Sequence, residues 1–474
     1  MLNRSYALDA LRGTAIVLMV LSGAVAFGIL PSWMYHAQVP PPAHVFNPDI
    51  PGITWVDLVF PFFLFAMGAA FPFSLRRKLE QGVAPLRLIV QAVLRGGQLA
   101  FFAIFIQHMY PWSLSQPQDA RSWLLALSCF ALLFPMFMRL PSAWSRWLRA
   151  GVKVAAYGLA LLLMLTVSYA NGRSFSLYYS NIIILVLANM ALFGSVIYIL
   201  TYRHPMLRLA LIPFVLAILL GSTIEGSITK AIYDFTPLAW FYKFNYIKYL
   251  CLIIPGSVAG EYLYEQLSAT ATATAASSPV PLHKGARKWL WGLLFCALLL
   301  IVGNVCLLYG RYLWCNLGLS ALLLLAARGL AGKIKTPEAD LYKKLCAFGA
   351  YLLLLGLFLE AFQGGIKKDH ATFSYYFVTG GLACYALIAF RIFCDDFQKQ
   401  RWLCWLTWPG QNPMIAYVCT SLFTVPLLSL VSAYSLFTAM ESTPLLGFFR
   451  GLILTGIAVV VTMFFTKIKW FWRT

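Results

Sequence analysis

HAQVPPPAHVFNPDIPGITWVDLVFPFFLFAM, residues 36–67, is the stretch from which the chain can be read. Two histidines and a run of prolines occupy a short polar loop. The loop passes through Asp57 straight into an apolar run with the length and composition of a membrane span. Histidines held at the mouth of a membrane helix can move protons, a chemistry that a plain anchor does not need.

The remainder of the chain is built the same way. Of its 474 residues 61% are hydrophobic and 11% charged, and the mean hydropathy is +0.76. A soluble domain carries about 25% charged residues, so a polytopic membrane protein is expected. Crossing ~30 Å of hydrocarbon takes ~20 apolar residues. Candidate windows run from 9–30 to 446–467. Three short ones, 121–138, 207–222 and 312–330, read equally as re-entrant or merged. The expectation is an all-α transmembrane bundle of about 11–14 spans, because backbone in lipid must satisfy its own hydrogen bonds.

The net charge of +20 does not point to nucleic acid. Its basic residues fall in alternate short loops: Arg76 to Lys78, Arg139 to Arg149, Arg203 and Arg208, His283 to Lys288, Arg328 to Lys344, Lys399 and Arg401, and Lys467 to Arg473. That pattern puts these loops and both termini in the cytoplasm, with anionic membrane lipids as partners. His36, His44, His108 and His370 then share the outer face. A small, polar, finally basic segment at 268–288 reads as a flexible cytoplasmic linker between membrane halves 1–267 and 289–474. The ten cysteines form no CxxC pair and mostly sit in apolar runs, as small hydrophobes do.

Asp9 and Arg12, three apart in LDALRG, lie where the first helix enters the membrane. They form an interfacial ion pair or contact a phosphate. Asp57 caps the second span or orients a nearby histidine, with Thr54 a competing cap. His36 and His44 are the candidate acid/base groups, while His108 and His370 carry a weaker signal. In GQNPM at 410–414, Gly410 and Pro413 break a helix and free Asn412 to line a cavity, or Pro413 simply starts one. No metal is expected, since the histidine spacings match no ligand pattern.

These pieces together resemble the membrane region of heparan-α-glucosaminide N-acetyltransferase and its bacterial relatives. The resemblance rests on Arg4 with LDALRG at 8–13, WMYHA at 33–37 and GITWVDLVFPFFLFAMG at 52–68. It continues through IKKDHATFSYYFVTGG at 366–381, GQNPMIAYV at 410–418 and FTKIKWFWR at 465–473. An insertion, VPPPAHVFNPDIP at 39–51, separates HA from Gly52, so His36 and His44 both stay candidates for the family's histidine, His36 slightly favoured. Gly23 stands where the family has an asparagine, the DPEG element is missing, and the luminal N-terminal part of the lysosomal enzyme has no counterpart. The resemblance implies a bacterial inner-membrane acyltransferase. It would move acetyl from cytoplasmic acetyl-CoA to an amine or hydroxyl of an exoplasmic sugar or glycan. Asp9, Arg12, Arg76 and Arg77 would then hold the donor, and Asn412, Lys367 and His370 the acceptor, with a homodimer left open. A glycan or lipid transporter, or flippase, is the rival reading.

Overall fold

The computed structural model describes residues 5–274, 284–336 and 338–472. Arg4, Arg473 and residues 275–283 of the expected linker lie outside the described residues. Hydrophobic runs too long for a soluble core become helices, and among the described residues thirteen of them are long and apolar enough to cross a membrane. They are α1 (Tyr6–Ala24), α2 (Trp55–Glu80), α3 (Pro85–Met109), α4 (Ala120–Phe137), α5 (Arg146–Thr166), α6 (Ile182–Thr201) and α7 (Pro205–Thr223), then α9 (Ala286–Tyr309), α10 (Leu313–Lys333), α11 (Ala339–Ala361), α12 (Phe373–Asp396), α13 (Pro413–Leu430) and α14 (Pro444–Lys467). Between the two sets runs α8 (Leu250–Thr274), which is not among those thirteen. The protein is a multi-pass integral membrane protein. The windows that read as re-entrant or merged are separate helices, α4, α7 and α10.

Burial separates the centre of the bundle from its rim. The apolar window of α12 is 89% buried, whereas that of α5 is 17% buried and faces outward. The α2–α8 contact shows how close the central helices come. A Cβ on Gly256 would lie 2.3 Å from the Phe65 carbonyl oxygen, and one on Gly260 would lie 2.3 Å from that of Ala69. Small residues that let backbones touch are a common way to join helices in lipid, where apolar burial alone gives no drive to associate. α8 therefore belongs inside the bundle despite its modest hydropathy.

The same device joins α1 to the short helix Cys404–Gln411. A Cβ on Gly410 would sit 1.9 Å from the Asp9 carbonyl oxygen. Trp472 donates its backbone N–H to Asn412 Oδ1 at 3.2 Å. The described beginning and end of the chain thus meet at one end of the bundle. α1, with 19 residues and a length of about 28 Å, carries the chain to the opposite end, where His36 lies.

Sidedness is testable directly. With V39C and K284C placed singly in a cysteine-free background, an impermeant maleimide should label position 39 in intact cells and leave position 284 unlabelled. The reverse pattern would put His36 on the cytoplasmic side, where an acceptor outside the cell could not reach it.

Candidate functional site

The loop between α1 and α2 is held by its own polar groups. The Tyr35 hydroxyl donates to the Ala26 carbonyl at 2.6 Å and accepts from the N–H groups of Leu30 at 2.9 Å and Ile29 at 3.2 Å. Buried Gln38 donates to the carbonyls of Ile50 at 3.0 Å and Gly52 at 3.3 Å. The insertion at 39–51 therefore folds back on itself, and WMYHA keeps its place beside the start of α2.

Thr54, the competing candidate, is the N-cap of α2, and Asp57 closes the capping box from the third helical position while also holding a histidine, because a carboxylate has two oxygens. Its Oδ2 accepts from Thr54 N–H at 2.9 Å, Thr54 Oγ1 at 3.2 Å and Ala37 N–H at 3.3 Å, which ties the loop to the start of α2. Its Oδ1 lies 2.7 Å from His36 Nδ1. Asp57 is fully buried, while the His36 side chain is 37% exposed. A buried carboxylate on Nδ1 places that ring proton between the two groups and leaves Nε2 as the accepting nitrogen. Tyr375 of α12 donates to the Asp57 carbonyl at 2.7 Å, which locks this first turn to the central helix.

His44 is placed elsewhere. It adopts φ 47°, and its ring packs edge-on against Tyr35, at 5.0 Å between centroids, and against Phe27 at 5.2 Å. Its Nδ1 is buried with no partner among the described residues. The structure therefore brings His36, not His44, to Asp57.

Lys368 is the group that sequence reasoning missed. Its Nζ lies 3.0 Å from His36 Nδ1 and 3.1 Å from Nε2. The signal was the lysine pair in GGIKKDH, from which Lys367 had been selected. Lys367 instead turns its backbone to Thr372, donating N–H to Thr372 Oγ1 at 3.1 Å. His370 is exposed on the same loop. His108 is buried and saturated: its Nδ1 donates to the Ile104 carbonyl at 2.8 Å, and its Nε2 accepts from Ser176 N–H at 3.3 Å.

The chain-terminal end of the bundle holds a second feature, a cavity of about 340 Å³ between α1, α2, α3, α6 and α13. Its polar wall has Arg12, Arg95 and Gln411, and its apolar wall includes Phe63, Met67 and Trp472. Arg95 Nε is buried without a partner among the described residues. Arg12 Nη1 donates to the Gly410 carbonyl at 3.3 Å. Arg12 is thus at a cavity, as the phosphate-contact alternative required, and Arg95 is a further cation that the sequence reading passed over.

The other expected donor and acceptor groups stand apart from this cavity or from His36. Arg76 is engaged with Glu80 at 2.8 Å and Glu265 at 3.2 Å. Arg77 is exposed. Asp9 is buried. Asn412 does not line the cavity; its amide is used up by the chain end, donating to the Trp470 carbonyl at 2.9 Å and accepting from Trp472 N–H. It lies at the end opposite His36, so the structure does not bring it together with Lys367 and His370.

A many-helix membrane bundle with a carboxylate-bound histidine at one end and an arginine-walled cavity at the other defines the class. The chain belongs to the family described as domain of unknown function DUF5009, whose sequence profile matches residues 4–263. That stretch contains His36, Asp57, Arg12 and Arg95. No curated protein matches the chain.

Proposed function

We propose that this protein is an acyltransferase of the bacterial inner membrane. It would take acetyl from cytoplasmic acetyl-CoA and pass it to an amine or hydroxyl of a sugar outside. The observation that carries the reading is the 2.7 Å contact between His36 Nδ1 and buried Asp57. A carboxylate–imidazole pair with an accessible second nitrogen is the arrangement a general base needs.

The cavity supports the donor half. Its volume lies within the range of small-molecule sites, ~300–1,000 Å³. One wall is apolar and the other offers two guanidiniums, which suits a thin, largely apolar arm attached to phosphates. Acetyl-CoA would supply the thioester. Arg12 and Arg95 would hold anionic oxygens, and His36 Nε2 would accept the proton of the acceptor's nucleophile. Neither His36 nor Asp57 lines the cavity. Phe63, in its wall, is six residues beyond Asp57 on α2, or about 9 Å of helix rise. Transfer therefore requires the side chains around Phe63 to move when the donor binds.

Purified protein incubated with radiolabelled acetyl-CoA and glucosamine should yield labelled N-acetyl product. Bound acetyl-CoA with no transfer to any of a panel of amino sugars would favour a transport role instead. For the donor site, Arg95→Ala should weaken acetyl-CoA binding about tenfold or more, the scale of a lost charge-assisted hydrogen bond. Exposed Arg77→Ala should change it by no more than ~0.5 kcal/mol. Equal effects of both would mean that general surface charge, not the cavity, attracts the donor.

A further inference from the structure

The Lys368 ammonium, on a half-buried side chain, has few protein partners and keeps donors open to solvent. An ammonium donates three hydrogen bonds, and a neutral imidazole nitrogen accepts one. His36 is the only side chain within hydrogen-bonding distance of Lys368 Nζ among the described residues, and no carboxylate lies within the 4.0 Å limit of an ion pair. The acids nearby are committed. Asp57 Oδ2 serves three donors and its Oδ1 serves His36. Glu360 is held by Arg311 Nη2 at 2.5 Å.

The contact lies over the ring and not on the lone pair of Nε2, since a point 3.0 Å from Nδ1 and 3.1 Å from Nε2 cannot lie along the in-plane axis of either nitrogen. With Asp57 on Nδ1, the ammonium therefore stands beside the accepting nitrogen without occupying it. The loop that carries the lysine is pinned on both sides. Gly52 N–H donates to the Ile366 carbonyl at 2.7 Å, Thr372 N–H to the Lys367 carbonyl at 3.1 Å, and Phe373 N–H to Gln363 Oε1 at 2.8 Å. What can move is the side chain, whose four-carbon stem is flexible while its base is fixed.

We infer that Lys368 is the subsite for an anionic group on the acceptor, a phosphate, sulfate or carboxylate carried near its nucleophile. The inference rests on the acyl-transfer reading for the identity of the acceptor, but the anion site stands on the Lys368 geometry alone. Acidic sugars would be selected by attraction to the lysine, which stands beside the accepting nitrogen. A neutral sugar would reach the same base without that contact.

Direct binding separates the two ideas. Calorimetry on the detergent-solubilised full chain, without donor, would compare glucosamine with glucosamine 6-phosphate and glucosamine 6-sulfate. The wild-type protein should bind the anionic sugars about tenfold or more tightly than the neutral one. Lys368→Met should bring the ratio close to one, and Lys368→Arg should restore much of it. Monodisperse elution of each variant guards against misfolding. Equal affinities in the wild-type protein, or a preference that survives Lys368→Met with unchanged ratio, would overturn the inference. Preferential anion binding without acetyl transfer to any of the three sugars would instead uphold the anion site and overturn the acyltransferase reading.

Discussion

Replacing His36 by alanine should lower acetyl transfer by ~10²–10⁴-fold, the contribution of a positioned general base, while leaving acetyl-CoA binding intact. The donor cavity runs from the other end of the bundle towards Phe63 and has no His36 atom in its wall. Asp57→Asn should be as damaging or worse, for a different reason. An asparagine amide can donate to Nδ1 where the carboxylate accepts from it. The imidazole would then carry its hydrogen on Nε2 and lose the accepting lone pair, an inversion that costs on the order of 10⁴ in a serine protease. His44→Ala should leave transfer largely unchanged, because its ring packs on Tyr35 and Phe27, away from Asp57. Initial rates at saturating donor would resolve all three. Full activity in His36→Ala, and in the His36→Ala/His44→Ala double variant, would end the acyltransferase reading.

The largest stability effect is expected at Arg208. Its guanidinium is 1% exposed and lies 2.7 Å from Glu261, itself 5% exposed. It also donates to Ser257 Oγ at 2.8 Å, Thr201 Oγ1 at 3.1 Å and the Thr201 carbonyl at 3.2 Å, and stacks over Tyr198 at 4.3 Å. Arg208→Met leaves the Glu261 carboxylate buried without its partner, which typically costs ~3–5 kcal/mol. Arg208→Met/Glu261→Met removes both charges with side chains of similar reach and should recover most of that loss. Thermal unfolding in detergent at a fixed scan rate reports the order: wild type, then the double variant, then Arg208→Met. If the double variant unfolds as early as the single one, packing over Tyr198 and not charge pairing holds this corner together.

Arg208 also shows where sequence reasoning stops. As a basic residue between two apolar windows it read as one of the cytoplasmic loop cations. The structure buries it at the start of α7 against α8, because Glu261, the acid it needs, lies 53 residues further along the chain. Long-range pairing of this kind leaves no local pattern. The same holds for Arg95, which looks like an ordinary interruption in a hydrophobic helix until α1 sets Arg12 in the wall of the same cavity.

Composition and periodicity determined the architecture. A chain with so few charges and such long apolar runs can satisfy its backbone in lipid only as helices, and the spacing of those runs anticipated about 11–14 spans, of which the described residues hold thirteen. The local grammar of residues 36–67 also marked His36 and Asp57, since a polar loop with histidine feeding a span with an acid in its first turn is visible in one dimension. Tertiary structure made the remaining choices. It chose His36 over His44, because the insertion folds back through Gln38 and leaves His44 against Tyr35. It chose Lys368 over Lys367, because the Arg311–Glu360 pair and the Ile366–Gly52 hydrogen bond set which lysine of the loop faces the imidazole. It spent Asn412 on the chain end at Trp470 and Trp472. Each choice turns on an angle or a contact between segments distant in sequence, and such contacts are fixed only when the helices close around one another.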